Sequence, residues 1–79
     1  MTNKEFNDYR SGKKCASEYI MDLVNIRVYK PDSLTSRQLK QIIKDKIDLA
    51  NKLISDNNQV SFNQGYKHTM EDFLHFITK

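Results

Sequence analysis

The segment from Leu34 to Ile54 carries a complete start signal for an amphipathic helix. Thr35 and Gln38 have the spacing of a capping box, in which each side chain accepts a hydrogen bond from the other residue's backbone N–H. Leu34 and Leu39 flank this box at the two positions of a hydrophobic staple. The segment therefore predicts a long helix over residues 35–55 and favours a helical domain.

The apolar side chains of this helix occupy one side of its surface. At about 100° per residue they fall within an arc of roughly 160°, and Lys46 projects inside the same arc. Three interpretations of Lys46 stay open: its stem packs along the stripe, it lies in a seam that sets oligomeric state, or it binds an anion between helices. The members of the arc are Leu39, Ile42, Ile43, Ile47, Leu49, Ala50, Leu53 and Ile54.

Two breaks divide the rest of the chain, one at Lys30-Pro31-Asp32-Ser33 and one at Ser55-Asp56-Asn57-Asn58. The residue before a proline is pushed out of the helical region, and aspartate and asparagine favour turns. One proline and two glycines in 79 residues are too few for a loop-rich β fold. We predict an all-α, small three-helix domain over residues 1–79, with helices near 4–24, 35–55 and 62–78.

Three details of this architecture are also predicted. The second and third helices should form an antiparallel helical hairpin, because the connection between them is short. The strict alternation of Val24-Asn25-Ile26-Arg27-Val28-Tyr29 is typical of a short extended stretch at 25–30, with continuation of the first helix as the open alternative. Ser61 and Gln64 have capping-box spacing at the start of the third helix. Gly65 there either permits close approach of another helix or is simply tolerated.

The size of the chain implies a thin core. A chain of 79 residues buries only about 60% of the surface that its unfolded form exposes. The single cysteine, Cys15, excludes an internal disulfide and fits a cytoplasmic, reducing location. No apolar run approaches the roughly 20 residues that span a bilayer, so membrane insertion is not expected. Extra stability should therefore come from a homo-oligomer, such as a homodimer, or from a permanent partner.

Catalytic chemistry has no clear basis in the sequence. It contains neither a nucleophile-elbow serine nor a glycine-rich phosphate loop, and Cys15 has no histidine near it in sequence. The neighbouring carboxylates Glu71 and Asp72 diverge by about 100° on a helix. His68 and His75 are seven residues apart, too far for the usual metal-binding pair. We predict that the chain is not an enzyme and has neither a cofactor nor a metal site.

The charges are unevenly placed, although the net charge is only +3. Residues 1–46 hold ten basic and six acidic side chains, whereas residues 47–79 hold three and four. An excess of four is mild and is typical of a solvated surface, with nucleic-acid contact as the alternative. In an interaction protein, the same cations would steer an acidic protein partner. The aromatic and methionine side chains of the third helix either belong to the core or form an interface, and both interpretations stay open. As an interface, they would be apolar anchors that combine with steering cations on the first helix in one partner-binding surface. Its residues are Tyr66, Met70, Phe73, Phe76, Arg10, Lys13 and Lys14.

The sequence Asn25-Ile26-Arg27-Val28-Tyr29-Lys30-Pro31, followed by helix, turn and helix, resembles the ribbon-helix-helix repressor family. In that family a strand pair built from two chains lies in the DNA major groove. The resemblance implies a sequence-specific DNA-binding regulator, with Asn25, Arg27 and Tyr29 as the base-contacting residues. Two features depart from the family: the helix after Pro31 is too long, and about two dozen residues precede the strand.

The chain as a whole, short, rich in lysine and asparagine and without enzyme motifs, resembles the small early proteins with which phages inhibit host or defence machinery. Leu34-Thr35 and Gln64-Gly65-Tyr66, each opening a helix, are similar to the helical hairpin of phage proteins that sequester cyclic oligonucleotide signals. This second resemblance implies a binder of an anionic nucleotide signal through Lys46 or Lys44. The function we predict is a non-catalytic, phage-encoded helical protein that binds and inhibits or redirects a host protein.

Overall fold

The computed structural model describes residues 1–78 and contains three helices joined by short connections. Helix α1 spans Asn3–Tyr29, α2 spans Ser36–Ser55 and α3 spans Val60–Ile77. A single 3₁₀ turn at Pro31–Ser33 lies between α1 and α2. No strand occurs within residues 1–78. The all-α, three-helix prediction is therefore confirmed.

Helix α3 is the central element, because both other helices pack against it. Helices α1 and α3 run parallel: Gly12 lies beside Phe62 near their N-termini, and Arg27 and Ile77 line one cavity near their C-termini. Helix α2 runs antiparallel to α3 and forms the predicted hairpin with it: Leu53 and Phe62 line one cavity near the turn, and Lys44 and Leu74 line another far from it. Helices α1 and α2 do not pack against each other to a comparable extent.

The long axis of the molecule follows α1. The molecule measures 43 × 20 × 20 Å, and a helix of 27 residues is about 40 Å long at 1.5 Å per residue. Because α1 is the longest helix and packs mainly on α3, a large part of its surface remains free of contacts within the chain.

The start of α2 matches the sequence pattern. The hydroxyl of Thr35 accepts from the N–H of Gln38 at 3.1 Å, and the Gln38 side chain accepts from the N–H of Thr35 at 2.9 Å. Leu34 and Leu39 are both buried, as expected for a hydrophobic staple. Helix α1 begins with a second capping box, formed by Thr2 and Glu5, which the sequence analysis missed.

Helix α3 begins at Val60, so the predicted capping box of Ser61 and Gln64 is wrong. The N-cap is Gln59, which has a left-handed backbone (φ 46°) and no capping side chain. The buried side chain of Asn63 stabilises this turn instead. Its amide donates to the carbonyl of Asn58 at 2.8 Å and to that of Gln59 at 3.1 Å.

The extended stretch predicted at 25–30 is also wrong, because α1 continues through Tyr29. A lone strand would leave its backbone N–H and C=O groups without partners, whereas the helix pairs them along its own chain. The Arg27 guanidinium further ties the end of α1 to the next segment. It donates to the carbonyl of Leu34 at 3.1 Å and to the hydroxyl of Ser36 at 2.6 Å.

The core is small and runs between the three helices. Its largest fully buried side chains are Ile43 and Met70. Leu34 enters it from the connection between α1 and α2, and the half-buried rings of Tyr19, Tyr66 and Phe73 pack at its edge. Its buried apolar residues are Ala16, Leu23, Leu34, Leu39, Ile43, Ala50 and Met70.

The two glycines of the chain face each other's helices. A Cβ atom added to Gly12 would overlap the Phe62 carbonyl oxygen and lie 2.8 Å from its carbonyl carbon. A Cβ added to Gly65 would overlap the Tyr9 carbonyl oxygen and lie 2.9 Å from its carbon. Both glycines are buried, so α1 and α3 approach backbone to backbone. This contact decides the open question about Gly65 in favour of close helix approach.

Substitution Gly12→Ala should lower the stability of the fold. Alanine favours a helix over glycine by about 1 kcal/mol, but the added methyl group meets backbone, which cannot rotate away. We expect a net loss of about 2 kcal/mol or more and a fall in melting temperature of about 10 °C. Thermal unfolding followed by circular dichroism measures this, with exposed Ser11→Ala as the control. A higher melting temperature for Gly12→Ala would contradict the close contact.

Candidate functional site

The apolar residues predicted to bind a partner do not form one surface. Met70 is completely buried in the core, so its side chain is not accessible to a partner in this structure. Tyr66 and Phe73 are half-buried against the same core. Phe76 alone of the four is well exposed, at 70%. The α3 part of the predicted surface therefore reduces to Phe76.

The predicted steering cations Arg10, Lys13 and Lys14 are all exposed on α1. The Arg10 guanidinium lies 5.7 Å from the ring centroid of Phe6. The Lys13 ammonium lies 5.6 Å from the ring centroid of Tyr9. Exposed contacts of this kind contribute about 0.5–1 kcal/mol. They hold both cationic groups along the helix surface.

Two of these cations, Arg10 and Lys14, begin a row of exposed residues along α1 that we call the outer stripe. The row has the alternating four- and three-residue spacing of a coiled-coil seam. At 100° per residue its members fall within about 80°, centred roughly 140° from the buried positions Gly12, Ala16 and Leu23. The outer stripe consists of Arg10, Lys14, Ser17, Met21, Val24 and Val28.

The outer stripe is polar in its first half and apolar in its second. Met21 is 64% exposed, Val24 38% and Val28 66%. Single exposed apolar residues are common on protein surfaces, whereas contiguous ones mark contact sites. The spacing of 10, 14, 17, 21, 24 and 28 is visible in the sequence. The sequence alone does not predict this surface, because which side of α1 is buried depends on its packing against α3.

Phe76 on α3 is expected at the same height along the molecule as the apolar half of the outer stripe. The site of a Cβ at Gly65 lies 3.2 Å from the side chain of Lys13. Phe76 follows Gly65, and Val24 follows Lys13, by eleven residues, which is about three helical turns. Because α1 and α3 run parallel, we expect Phe76 and Val24 to lie at the same level of the molecule.

The residues predicted to contact DNA are on a helix and not on a strand. On a strand Asn25, Arg27 and Tyr29 would share one face. On a helix Arg27 points about 160° away from each of the other two. The Arg27 guanidinium is moreover engaged by Leu34 and Ser36. The described residues therefore lack the strand that a ribbon-helix-helix protein requires.

Lys46 contacts an aromatic ring within its own chain. Its ammonium lies 4.9 Å from the ring centroid of Tyr19 on α1, and its side chain is half-buried. The contact fits the interpretation in which the stem packs along the stripe and the charge remains near the surface. Lys44 lines a different groove, of about 510 Å³, between α2 and α3. The two lysines therefore do not converge on one anion site.

The Lys44 groove carries mixed charges. Asp48 and Glu71 line it together with His75, and Ile47 is among its apolar members. His68 lies elsewhere and shares a 2.8 Å hydrogen bond with the hydroxyl of Tyr9. Within residues 1–78, no three histidine, cysteine, aspartate or glutamate side chains are grouped so that they could hold a metal ion.

Tyr66 is a titratable group whose pKa is shifted by its environment. Burial raises the pKa of its phenol, and the neighbouring Tyr19 and Cys15 raise it further because their anions would repel the phenolate. These neighbours place Tyr66 beside α1, and Tyr66 also lines a cavity with Lys46 and Ala50 of α2. The Tyr66 ring is thus part of the packing between helices and not of an open binding face.

Comparisons with protein-family models, curated proteins and solved structures found no match to this chain. In the part of the chain that the structure describes, no helix combines the length and the apolar character needed to cross a membrane. Evidence about function therefore comes from the surface of this molecule.

Substitutions at Met70 and Phe76 should change the free energy of unfolding by different amounts, because Met70 is in the core and Phe76 is on the surface. Met70→Ala removes a fully buried side chain and should cost about 2–5 kcal/mol of unfolding free energy. Phe76→Ala removes an exposed ring and should change it by no more than about 0.5 kcal/mol. Urea unfolding of both variants measures the difference. Equal losses would show that Phe76 is part of the core.

Titration of the tyrosines should show one phenol that ionises late. Because the raised pKa of Tyr66 favours its neutral form in the folded state, the stability it provides is complete below the unfolded-state pKa of about 10. It is lost as the pH rises through the folded-state pKa. The ultraviolet absorbance of tyrosinate should lose its highest-pH step in Tyr66→Phe and keep it in Tyr29→Phe. Retention of that step in Tyr66→Phe would contradict the assignment.

Proposed function

We propose that this chain is a non-catalytic helical interaction protein that binds an acidic protein partner through the outer stripe of α1. Arg10 and Lys14, with Lys13 beside them, attract carboxylates on the partner. Met21, Val24 and Val28 bury apolar surface against it. Occupying the partner in this way inhibits or redirects its activity. A phage-encoded origin and a host protein as the target remain part of the proposal.

The single observation that supports this proposal is that α1 exposes apolar side chains on the side opposite its buried one. An ordinary surface helix buries its apolar side and presents polar residues on the opposite side. Helix α1 instead buries small residues and Leu23 on one side and exposes Met21, Val24 and Val28 on the other. Contiguous exposed apolar side chains beside cations are typical of a surface that another protein covers.

The other functions have weaker support. A DNA-binding regulator of the ribbon-helix-helix type would need a strand where α1 is helical. A binder of an anionic nucleotide would need converging cations, whereas Lys44 and Lys46 line separate grooves. For the interaction protein, the cations and apolar anchors lie on one continuous surface.

A photo-reactive amino acid at Val24 should cross-link the chain to a specific protein in the cell that expresses it, because that position lies in the apolar half of the outer stripe. The adduct should disappear when Arg10 and Lys14 are both changed to glutamate, since reversed charges repel an acidic surface. Purified partner should then bind the reversed variant at least tenfold more weakly, a loss of about 1.4 kcal/mol. Circular dichroism should show that the variant is folded.

Two matched controls make this test specific. Lys52→Glu reverses an exposed charge on α2, and Ile26→Ser removes a partly exposed apolar side chain from α1 outside the outer stripe. Neither should affect the adduct. The proposal is wrong if both controls abolish it, or if the variant with glutamate at positions 10 and 14 keeps full binding.

A further inference from the structure

We infer that the outer stripe is a coiled-coil seam that takes one helix of the partner, with carboxylates along one half and apolar side chains along the other. The carboxylates lie beside Arg10 and Lys14, and the apolar side chains lie against the second half of the seam. This inference rests on the proposed function and narrows it from an acidic protein surface to a single amphipathic helix.

The spacing of the outer stripe matches one seam of a two-helix coiled coil, which favours a helix as the occupant. Positions 10, 17 and 24, and positions 14, 21 and 28, each repeat every seven residues, the repeat that lets two helices keep one seam in contact. The row extends from residue 10 to residue 28, or about 27 Å of helix. A flat protein surface would not require a row this narrow and this long.

The order of residues along the outer stripe argues against a second copy of this chain. In a parallel pair, Arg10 and Lys14 would face the same cations of the other copy. In an antiparallel pair they would lie against Val28 and Val24, where their charges would lose water without gaining a partner. A partner helix that places carboxylates opposite Arg10 and Lys14, and apolar side chains opposite Val24 and Val28, avoids both the repulsion between cations and the burial of unpaired charge.

Residues beside the seam add to its specificity. In heptad notation Lys14, Met21 and Val28 are at position a of the seam. Lys13 is then at position g and Glu18 at position e, which flank the seam on opposite sides. Flanking charges set partner choice in coiled coils. Glu18 is one carboxylate next to the seam, which disfavours an anionic lipid surface or a nucleic acid backbone. The matching helix therefore carries a cation opposite Glu18 and a carboxylate opposite Lys13.

Designed, covalently stapled helical peptides of about three heptads provide the probe. Two acidic probes carry glutamate along the half of the seam that faces Arg10 and Lys14 and leucine along the other half. One probe is designed to bind parallel to α1 and the other antiparallel. Matched basic probes have lysine in place of glutamate. At low salt, one acidic probe should bind the intact chain at least tenfold more tightly than its basic counterpart, measured by fluorescence anisotropy. Chemical-shift changes should follow the outer stripe of α1.

The reciprocal charge exchange is the decisive measurement. The variant with Arg10→Glu and Lys14→Glu should prefer the basic probe by a similar factor, whereas Lys52→Glu should keep the original preference. The inference is overturned if neither acidic probe is preferred, or if the charge exchange does not reverse the preference. It is also overturned if sedimentation shows a dimer that Met21→Asp dissociates, or if anionic vesicles or duplex DNA bind the stripe more tightly than the probes do.

Failure of this inference is distinguishable from failure of the proposed function. If Val24 cross-links to a cellular protein and the charge exchange has no effect on the peptides, the partner presents something other than a helix. If the peptides follow the charge exchange but no cellular protein cross-links at Val24, the seam is confirmed and the proposed function is contradicted.

Discussion

The close approach of the α1 and α3 backbones at Gly12 and Gly65 is the constraint on which the rest of the architecture depends. Each glycine leaves room for the backbone of the other helix, and a single methyl group at either position would separate α1 from α3. The contact also determines the register, because it places the N-terminal halves of two parallel helices side by side. Helix α2 then packs on the remaining apolar side of α3, where Met70 completes the core.

The central position of α3 explains why α1 has a free face. A third helix packed equally against both others would form a compact triangle and cover more of α1. Here α1 contacts mainly α3, through small residues. Met21, Val24 and Val28, on the opposite side of α1, are therefore exposed to solvent. The outer stripe is therefore a consequence of the packing arrangement and not of local helix propensity.

The sequence predicts elements whose signals are local. The Thr35–Gln38 capping box and the apolar arc of α2 are formed as expected, because both depend on residues a few positions apart. The strand at 25–30 and the capping box at Ser61 failed because tertiary context decided them: continued helical pairing in α1, and the Asn63 side chain in the turn. The apolar half of the candidate site was missed for the same reason. Which face of α1 is buried depends on Gly65, more than fifty positions away in the chain.

That separation has a consequence for the order of folding. The hairpin of α2 and α3 closes through a short turn, whereas the glycine contact joins the two ends of the chain and must close a loop that contains all of α2. Contacts between distant residues form slowly because closing a long loop costs chain entropy. We therefore expect the hairpin to assemble first and to present the α3 surface around Gly65 as a groove, into which α1 docks as the last step.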